Sequence, residues 1–141
     1  KTLKMKNILV MCTGNSCRSQ MAHGYLFKFL FSKVMIYSAG IETHGVNQNA
    51  VESMLRDGVD ISNNTSNNIN EYQHINFDLI ITVCDHASES CPFIPNKTAI
   101  QIHKNFKDPS KIFNSKNIKK DYDTCRDEIK KFIVEIKNKY F

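Results

Sequence analysis

The chain has 141 residues, 41% of them hydrophobic, which suits one compact domain with a real core. No apolar run approaches the ~20 residues of a membrane span, and the stretch "NILVM" is too short for a secretory signal and lacks a small-residue cleavage site. The net charge of +5 comes from lysines spread along the chain without interleaved aromatics, which points to general attraction for anions and away from nucleic acid.

Five cysteines is an odd number in a chain too large to need disulfide staples. With no signal segment, that count argues for a reducing cytoplasm and chemically active thiols. The glycosylation-like "NNT" and "NTS" at Asn63 and Asn64 carry no meaning in that compartment. Met5 reads as a natural start, with a slightly longer native N-terminus as the alternative, and a single domain is expected over residues 5–141 with Lys1 to Lys4 outside it.

In chain order, "KNILVMC" is a short apolar run ending at a Gly/Asn/Ser turn and reads as a buried strand. After Ser19, the positions Ala22, Tyr25, Leu26, Phe29 and Leu30 fall at helical spacing. "VMIYSAG" is a second strand closed by Gly40. Val46, Ala50, Val51, Met54 and Leu55 mark a second helix that stops at Gly58. The Asn-rich residues 63–70 read as surface loop. "FDLIITVC" and "TAIQI" supply two further strands. The tail "DEIKKFIVEIKNKYF" carries Ile129, Phe132, Ile133, Ile136 and Tyr140 on one helical face, with acids first and lysines last, as the helix dipole favours. Strands alternating with helices predict an α/β fold, a four-stranded parallel sheet covered on both faces.

The run "VMCTGNSCRSQMA", residues 10–22, lies where the first strand gives way to the first helix. Its two thiols are open to three readings: metal ligands, a redox pair, or one nucleophile with a bystander. A strand-to-helix turn presents backbone N–H groups without intrahelical partners, and with the helix dipole these make an anion cradle. Gly14 and Asn15 suit the unusual backbone angles such a turn requires. Cys12 opens the loop and Arg18 closes it, so Thr13, Gly14, Asn15, Ser16, Cys17, Arg18 and Ser19 can wrap a tetrahedral oxyanion while the guanidinium binds two of its oxygens. A cysteine aimed into such a nest is held as the nucleophilic thiolate, to which Ser19 can donate a hydrogen bond.

The loop "CTGNSCRSQMA" resembles that of the low-molecular-weight tyrosine phosphatase fold, and specifically its thioredoxin-coupled arsenate reductase branch. The similarity continues in order through "YSAGIETHGVN", "DISNNTS", "ITVCDHASESCP" and "KDP", nearly the whole chain. The resemblance implies a three-layer α/β/α sandwich working as a monomer, with arsenate or a phosphate-like oxyanion as substrate, thioredoxin as reductant and no bound cofactor. It places the nucleophile at Cys12, the oxyanion-binding arginine at Arg18, the shuttle cysteines at Cys84 and Cys91, and the general acid at Asp108. Cys84 ends a strand parallel to the one ending at Cys12, so its following loop opens on the same crevice. Cys17 reads as packing and Cys125 as inert.

Several readings compete. A zinc site fits poorly, because the cysteine spacings are not those of zinc knuckles and His86 is the sole imidazole close in sequence. His44 and His103 show no partner pattern and read as surface or loop residues. The branch's potassium ligands would fall on Asn15, His23, Ser38 and Asn67; two carboxylates have become neutral groups there, so no functional potassium site is expected. Lys107 beside Asp108 is a further departure. A phosphatase using Cys12, Arg18 and Asp108 is the alternative enzyme, although it has no use for the thiols of "CDHASESC". A non-catalytic anion or redox sensor is the reading from another class.

Overall fold

The computed structural model describes residues 5–87, 89–90, 94–95 and 98–141. Four strands, β1 (Asn7–Met11), β2 (Met35–Ala39), β3 (Leu79–Thr82) and β4 (Ile100–His103), form one parallel sheet in the order β2-β1-β3-β4. Three helices accompany them: α1 (Arg18–Leu30), α2 (Gln48–Arg56) and α3 (Ile118–Tyr140). The chain leaves β1 toward β2 on one side and later returns to β3 on the other. The carboxyl ends of β1 and β3 are therefore the switch point, where an open α/β sheet forms its binding crevice.

β1 is central, and its residues Ile8, Leu9, Val10 and Met11 are fully buried. Their alternation divides the core. Ile8 and Val10 join Tyr25 and Leu26 of α1 and Ile129 and Ile133 of α3 in one cluster, on which α2 adds Ala50 and Met54. Leu9 and Met11 face a second cluster with Ala39, Phe77 and Ile80. The expected sandwich is present, but its outer layers are unequal. The helices pack on one face, while a 3-10 turn at Ile69–Tyr72 and the ring contacts of Tyr37 with Tyr72 (5.2 Å) and Phe77 (5.5 Å) cover the other.

Helix ends follow their caps. Asn47 accepts a hydrogen bond from the Ala50 N–H at the start of α2, and Gly58 takes φ +75° beyond its end, as a stop there requires. Helix α3 starts well before the expected Asp127. Asn117 caps it, and Tyr122 and Cys125 extend the buried face back from Ile129 at helical spacing. β4 begins at Ile100, two residues later than "TAIQI" suggested. No helix among the described residues is long and apolar enough to cross a membrane.

Candidate active site

The loop from Cys12 to Cys17 joins β1 to α1 at the carboxyl edge of the sheet. Its carbonyls are tied outward: Thr13 O accepts from Glu42 N (3.1 Å), Gly14 O from His44 N (3.1 Å) and Ser16 O from Asn47 N (2.9 Å). Peptide amides point opposite to their carbonyls, so this pinning favours N–H groups directed into the cradle. Cys17 stands at the N-cap of α1 without a side-chain cap, leaving the first helical amides available to an anion.

Of the two residues expected to take unusual angles, only Asn15 does, at φ +47°. Gly14 instead lies beneath the exposed His44 ring, which would have to shift for a Cβ, since that atom would lie 2.5 Å from Nδ1. Gly40 at the end of β2 is more constrained: a Cβ would meet Thr13 O at 2.6 Å and Asn15 N at 2.8 Å, both backbone atoms. The Asn15 amide donates to Ser19 Oγ (2.8 Å), and Ser19 Oγ lies 3.0 Å from Cys12 Sγ. With one Ser19 lone pair used in this way, its hydroxyl hydrogen is left for the sulfur, as expected.

The Asn-rich segment is the expected loop, and it also braces the cradle. Asn67 N donates to Asn15 Oδ1 (2.8 Å), Ser66 Oγ to Gly14 O (3.1 Å), and Gln20 Nε2 to Thr65 O (3.0 Å). Asn68 forms a bridge with Gly40 and makes a full capping box with Glu71.

Arg18 is 3% exposed and opens onto a cavity of about 600 Å³ lined by Cys12, His44, Lys107 and Asp108 among others. Nη1 donates to Phe106 O (3.0 Å), and Nη2 lies 3.5 Å from Asp108 Oδ2. Burial works against its charge, yet the bond to Glu89 and the surrounding acidic groups raise Arg18 above its ordinary range. Its Nε is buried with no hydrogen-bond partner among the described residues, an orphan donor beside the cradle. Asp108 divides its oxygens. Oδ1 accepts from Ser110 N (2.9 Å) and Oγ (2.6 Å) in the turn Pro109–Lys111, while Oδ2 faces Arg18. Asp108 thus caps this turn with one oxygen and borders the cavity beside Arg18 with the other.

The residue sequence reasoning missed is Glu89. It is bound by both terminal nitrogens of Arg18, with Nη2 to Oε1 at 2.8 Å, and by Thr13 Oγ1 and Asp85 N. Nothing in its local pattern signals a reach to Arg18, 71 positions away.

Among the thiols, Cys12, Cys17 and Cys125 are free, whereas Cys84 is fully buried and disulfide-bonded. Cys91 lies outside the described residues. Burial pushes the Cys17 thiol well up and the Cys125 thiol up to about 12, in keeping with packing rather than chemistry.

Two histidines gain partners that sequence spacing does not reveal, although His103 is exposed as expected. His103 belongs to β4, bonds Thr82 Oγ1 (2.7 Å) and Asn105 Oδ1 (2.6 Å), and stacks on His86 at 3.7 Å. His86 is therefore not the sole imidazole near Cys84: ligand atoms of Cys84, His86 and His103 lie within 4.8 Å of one another. Both ring nitrogens of His103 are engaged, however, and the sulfur is in a disulfide, so these donors are committed elsewhere. His44 is exposed as expected and pairs with Glu42 (2.9 Å). Burial pushes His23 down to about 4, and its neutral ring bonds Ser38 Oγ (2.8 Å). His23 with Ser38 and Asn15 with Asn67 thus form two hydrogen-bonded pairs at the positions where the resemblance would put cation ligands.

A cysteine and an arginine closing an amide-lined loop at the switch point of a four-stranded parallel sheet define a phosphatase-type oxyanion fold. The chain belongs to the low molecular weight phosphotyrosine protein phosphatase family, whose model matches residues 7–140. Within it, the chain is 47% identical over 109 residues to an arsenate reductase of Halalkalibacterium halodurans, covering 77% of this chain and 78% of that protein. It is 42% identical over 128 residues to an arsenate reductase of Bacillus subtilis, covering 90% and 91%. Among solved structures, an arsenate reductase in the oxidized state matches with TM-score 0.82 at 26% identity, over 97% of this chain and all of that one. A low molecular weight protein tyrosine phosphatase from T. tengcongensis, at TM-score 0.72 and 22% identity, covers 95% of this chain and 99% of its own and shares the fold.

Proposed function

We propose that the chain reduces arsenate to arsenite through a relay of three thiols, with thioredoxin as the final reductant. The observation that carries the reading is a pairing of states: Cys84 is disulfide-bonded while Cys12 remains a free thiol at the mouth of the cradle. A phosphatase needs Cys12 but has no role for an oxidised Cys84. The similarity to arsenate reductases over most of the chain supports the same choice.

In the proposed sequence, the cradle amides and Arg18 hold arsenate, and the Cys12 sulfur attacks arsenic while Asp108 protonates the departing oxygen as water. Cys84, as thiolate, then attacks the Cys12 sulfur. An S–S bond forms, the S–As bond breaks, and its electron pair stays on arsenic, which leaves as arsenite. Cys91 attacks the Cys84 sulfur, releasing Cys12 as thiolate and leaving a Cys84–Cys91 disulfide for thioredoxin to reduce. Ser19 steadies the Cys12 sulfur as nucleophile and again as leaving group, through the 3.0 Å contact. Such a cycle suits a reducing compartment, the cytoplasm.

The test is arsenate-dependent NADPH consumption in the presence of thioredoxin and thioredoxin reductase, repeated with Cys91→Ser. The wild type is expected to turn over continuously and the variant to stop after about one round. Sustained turnover by the variant, or activity confined to aryl phosphates, overturns the reading.

A further inference from the structure

From the contacts of Glu89 we infer that its carboxylate is a built-in occupant of the oxyanion cradle, excluding external oxyanion while Cys84 is in its disulfide. The inference concerns oxyanion binding at the same site and rests on the relay reading only for its link to the redox state.

The carboxylate is held as a ligand is held. Both oxygens engage the terminal nitrogens of Arg18, Oε1 also accepts from Thr13 Oγ1, and Oε2 accepts from Asp85 N at 3.0 Å. Those donors saturate the roughly four acceptor positions a carboxylate offers. Burial opposes its ionisation, but the bonds from Arg18 and Thr13 outweigh this and hold Glu89 below the usual carboxylate range. It stays anionic throughout the neutral range and competes as an anion.

The fit is good but incomplete. A planar carboxylate has two oxygens, and Arg18 Nε is left without a partner among the described residues. A tetrahedral oxyanion has further oxygens to offer that donor and the loop amides, so it binds the same guanidinium more fully. The terminal N–H groups of Arg18 are already committed to Glu89, Phe106 O and Asp108, so an oxyanion that takes the fork now held by Glu89 must displace the carboxylate.

The link to Cys84 comes from the segment that carries Glu89. Asp85 directly follows Cys84, and it closes a turn with Glu89 in which Glu89 N donates to Asp85 O (3.1 Å) and Asp85 N to the Glu89 carboxylate. The side chain that blocks Arg18 is thus anchored beside the sulfur whose oxidation ends the relay. When a site is open only part of the time, its apparent Kd rises by the inverse of the open fraction. Docking of Glu89 therefore weakens oxyanion binding in the disulfide state, which keeps ambient phosphate out until the thiols are restored.

The test is titration of inorganic phosphate by calorimetry into the full chain, in its disulfide form and after complete reduction. In the disulfide form Glu89→Gln is expected to bind phosphate at least tenfold tighter than wild type, and in the reduced form less than threefold tighter. Glu89→Asp keeps the charge on a side chain one methylene shorter, and is expected to behave like Glu89→Gln because it cannot span to Arg18. Equal affinities of wild type and Glu89→Gln in the disulfide form overturn the proposal. Weak binding retained by Glu89→Asp also overturns it, by showing repulsion at a distance in place of docking. A gain for Glu89→Gln that is the same in both redox states overturns the link to Cys84. None of these readouts requires turnover, so a failure of the arsenate assay leaves this result independently readable.

Discussion

The loop after β1 and the segment after β3 meet at one crevice but are built differently. Residues Cys12 to Ser19 are tied to distant parts of the chain through Glu42, His44, Asn47, Ser66 and Asn67, with Gly40 pressed against their backbone. The described residues between Asp85 and Glu89 form a short turn closed by their own hydrogen bonds, and it is attached outside through Glu89 to Arg18 and Thr13 and through His86 to Asn105 and the His103 ring. The difference matches the two tasks of the proposed relay. Holding charge at a reacting centre demands fixed dipoles that need no reorganisation. Passing a disulfide outward demands a sulfur whose surroundings move.

Removal of the reacting groups tests the fixed half most severely. Cys12→Ser is expected to lower arsenate turnover by ~10³-fold or more, the scale for removing a nucleophile. Arg18→Lys keeps the charge but loses the planar fork, and a fall of roughly 10²-fold in kcat/KM is expected. Both are measured in the coupled NADPH assay. If Arg18→Lys matched wild type, a point charge would suffice and the cradle geometry would lose its role.

Gly40→Ala probes the same loop from outside. The added methyl would press on Thr13 O and Asn15 N, backbone atoms with little room to yield. A loss of about 1–3 kcal/mol in stability is expected, as for overpacking elsewhere, together with weaker phosphate binding. Urea unfolding alongside phosphate titration checks both. A full loss of binding at unchanged stability would mean that the loop reshapes independently of the fold, contrary to the contrast drawn above.

What could be read from sequence follows the same division. Buried strands, the helical faces and the Cys12-to-Arg18 loop were legible because each is a local pattern of apolar spacing or turn chemistry. The role of residues 63–70 was not: their polar groups pair with Gly14, Asn15 and Gln20 far back in the chain, which composition cannot reveal. Nor could sequence choose between Gly14 and Asn15 for the positive φ, since both residue types tolerate it and Asn15 is held there by partners at Ser19 and Asn67. The start of α3 was missed because its first turns are polar, although Asn117 and the spacing of Tyr122 and Cys125 carried the signal. Glu89 stands as one acid in a polar run until the fold brings it to Arg18.

His23 gives a pH test of the braced side. An unfolded histidine takes up a proton near ~6.5, whereas burial holds the folded one neutral down to about 4. Between these values the unfolded chain binds more protons. This contribution is therefore fully present above ~6.5, declines as pH falls toward about 4, and changes no further below that. The full effect is about 3–4 kcal/mol. Urea midpoints for wild type and His23→Gln at several pH values measure it, and the variant is expected to show a shallower decline across this window. Equal slopes would remove His23 from the account.

The smallest expected effect separates thiols that share a neighbourhood. Cys12 and Cys125 both lie within the field of Arg18, yet Cys125 also lies against α3's neighbours, with its sulfur 3.9 Å from Lys107 O. Burial dominates there and pushes its thiol up to about 12, so at pH 8 only roughly 10⁻⁴ of it is thiolate. Cys125→Ala is accordingly expected to leave turnover within about twofold and to cost ~1–2 kcal/mol in stability, as for a small buried group. Iodoacetamide treatment of the reduced protein at pH 8, mapped by mass spectrometry, should modify Cys12 with partial protection by phosphate and leave Cys125 intact. Equal labelling of both would mean that closeness to Arg18 alone activates a sulfur. Selective labelling of Cys12 means that the cradle's opening to solvent, joined to its inward amides and the Ser19 hydroxyl, makes one thiol of this cluster reactive.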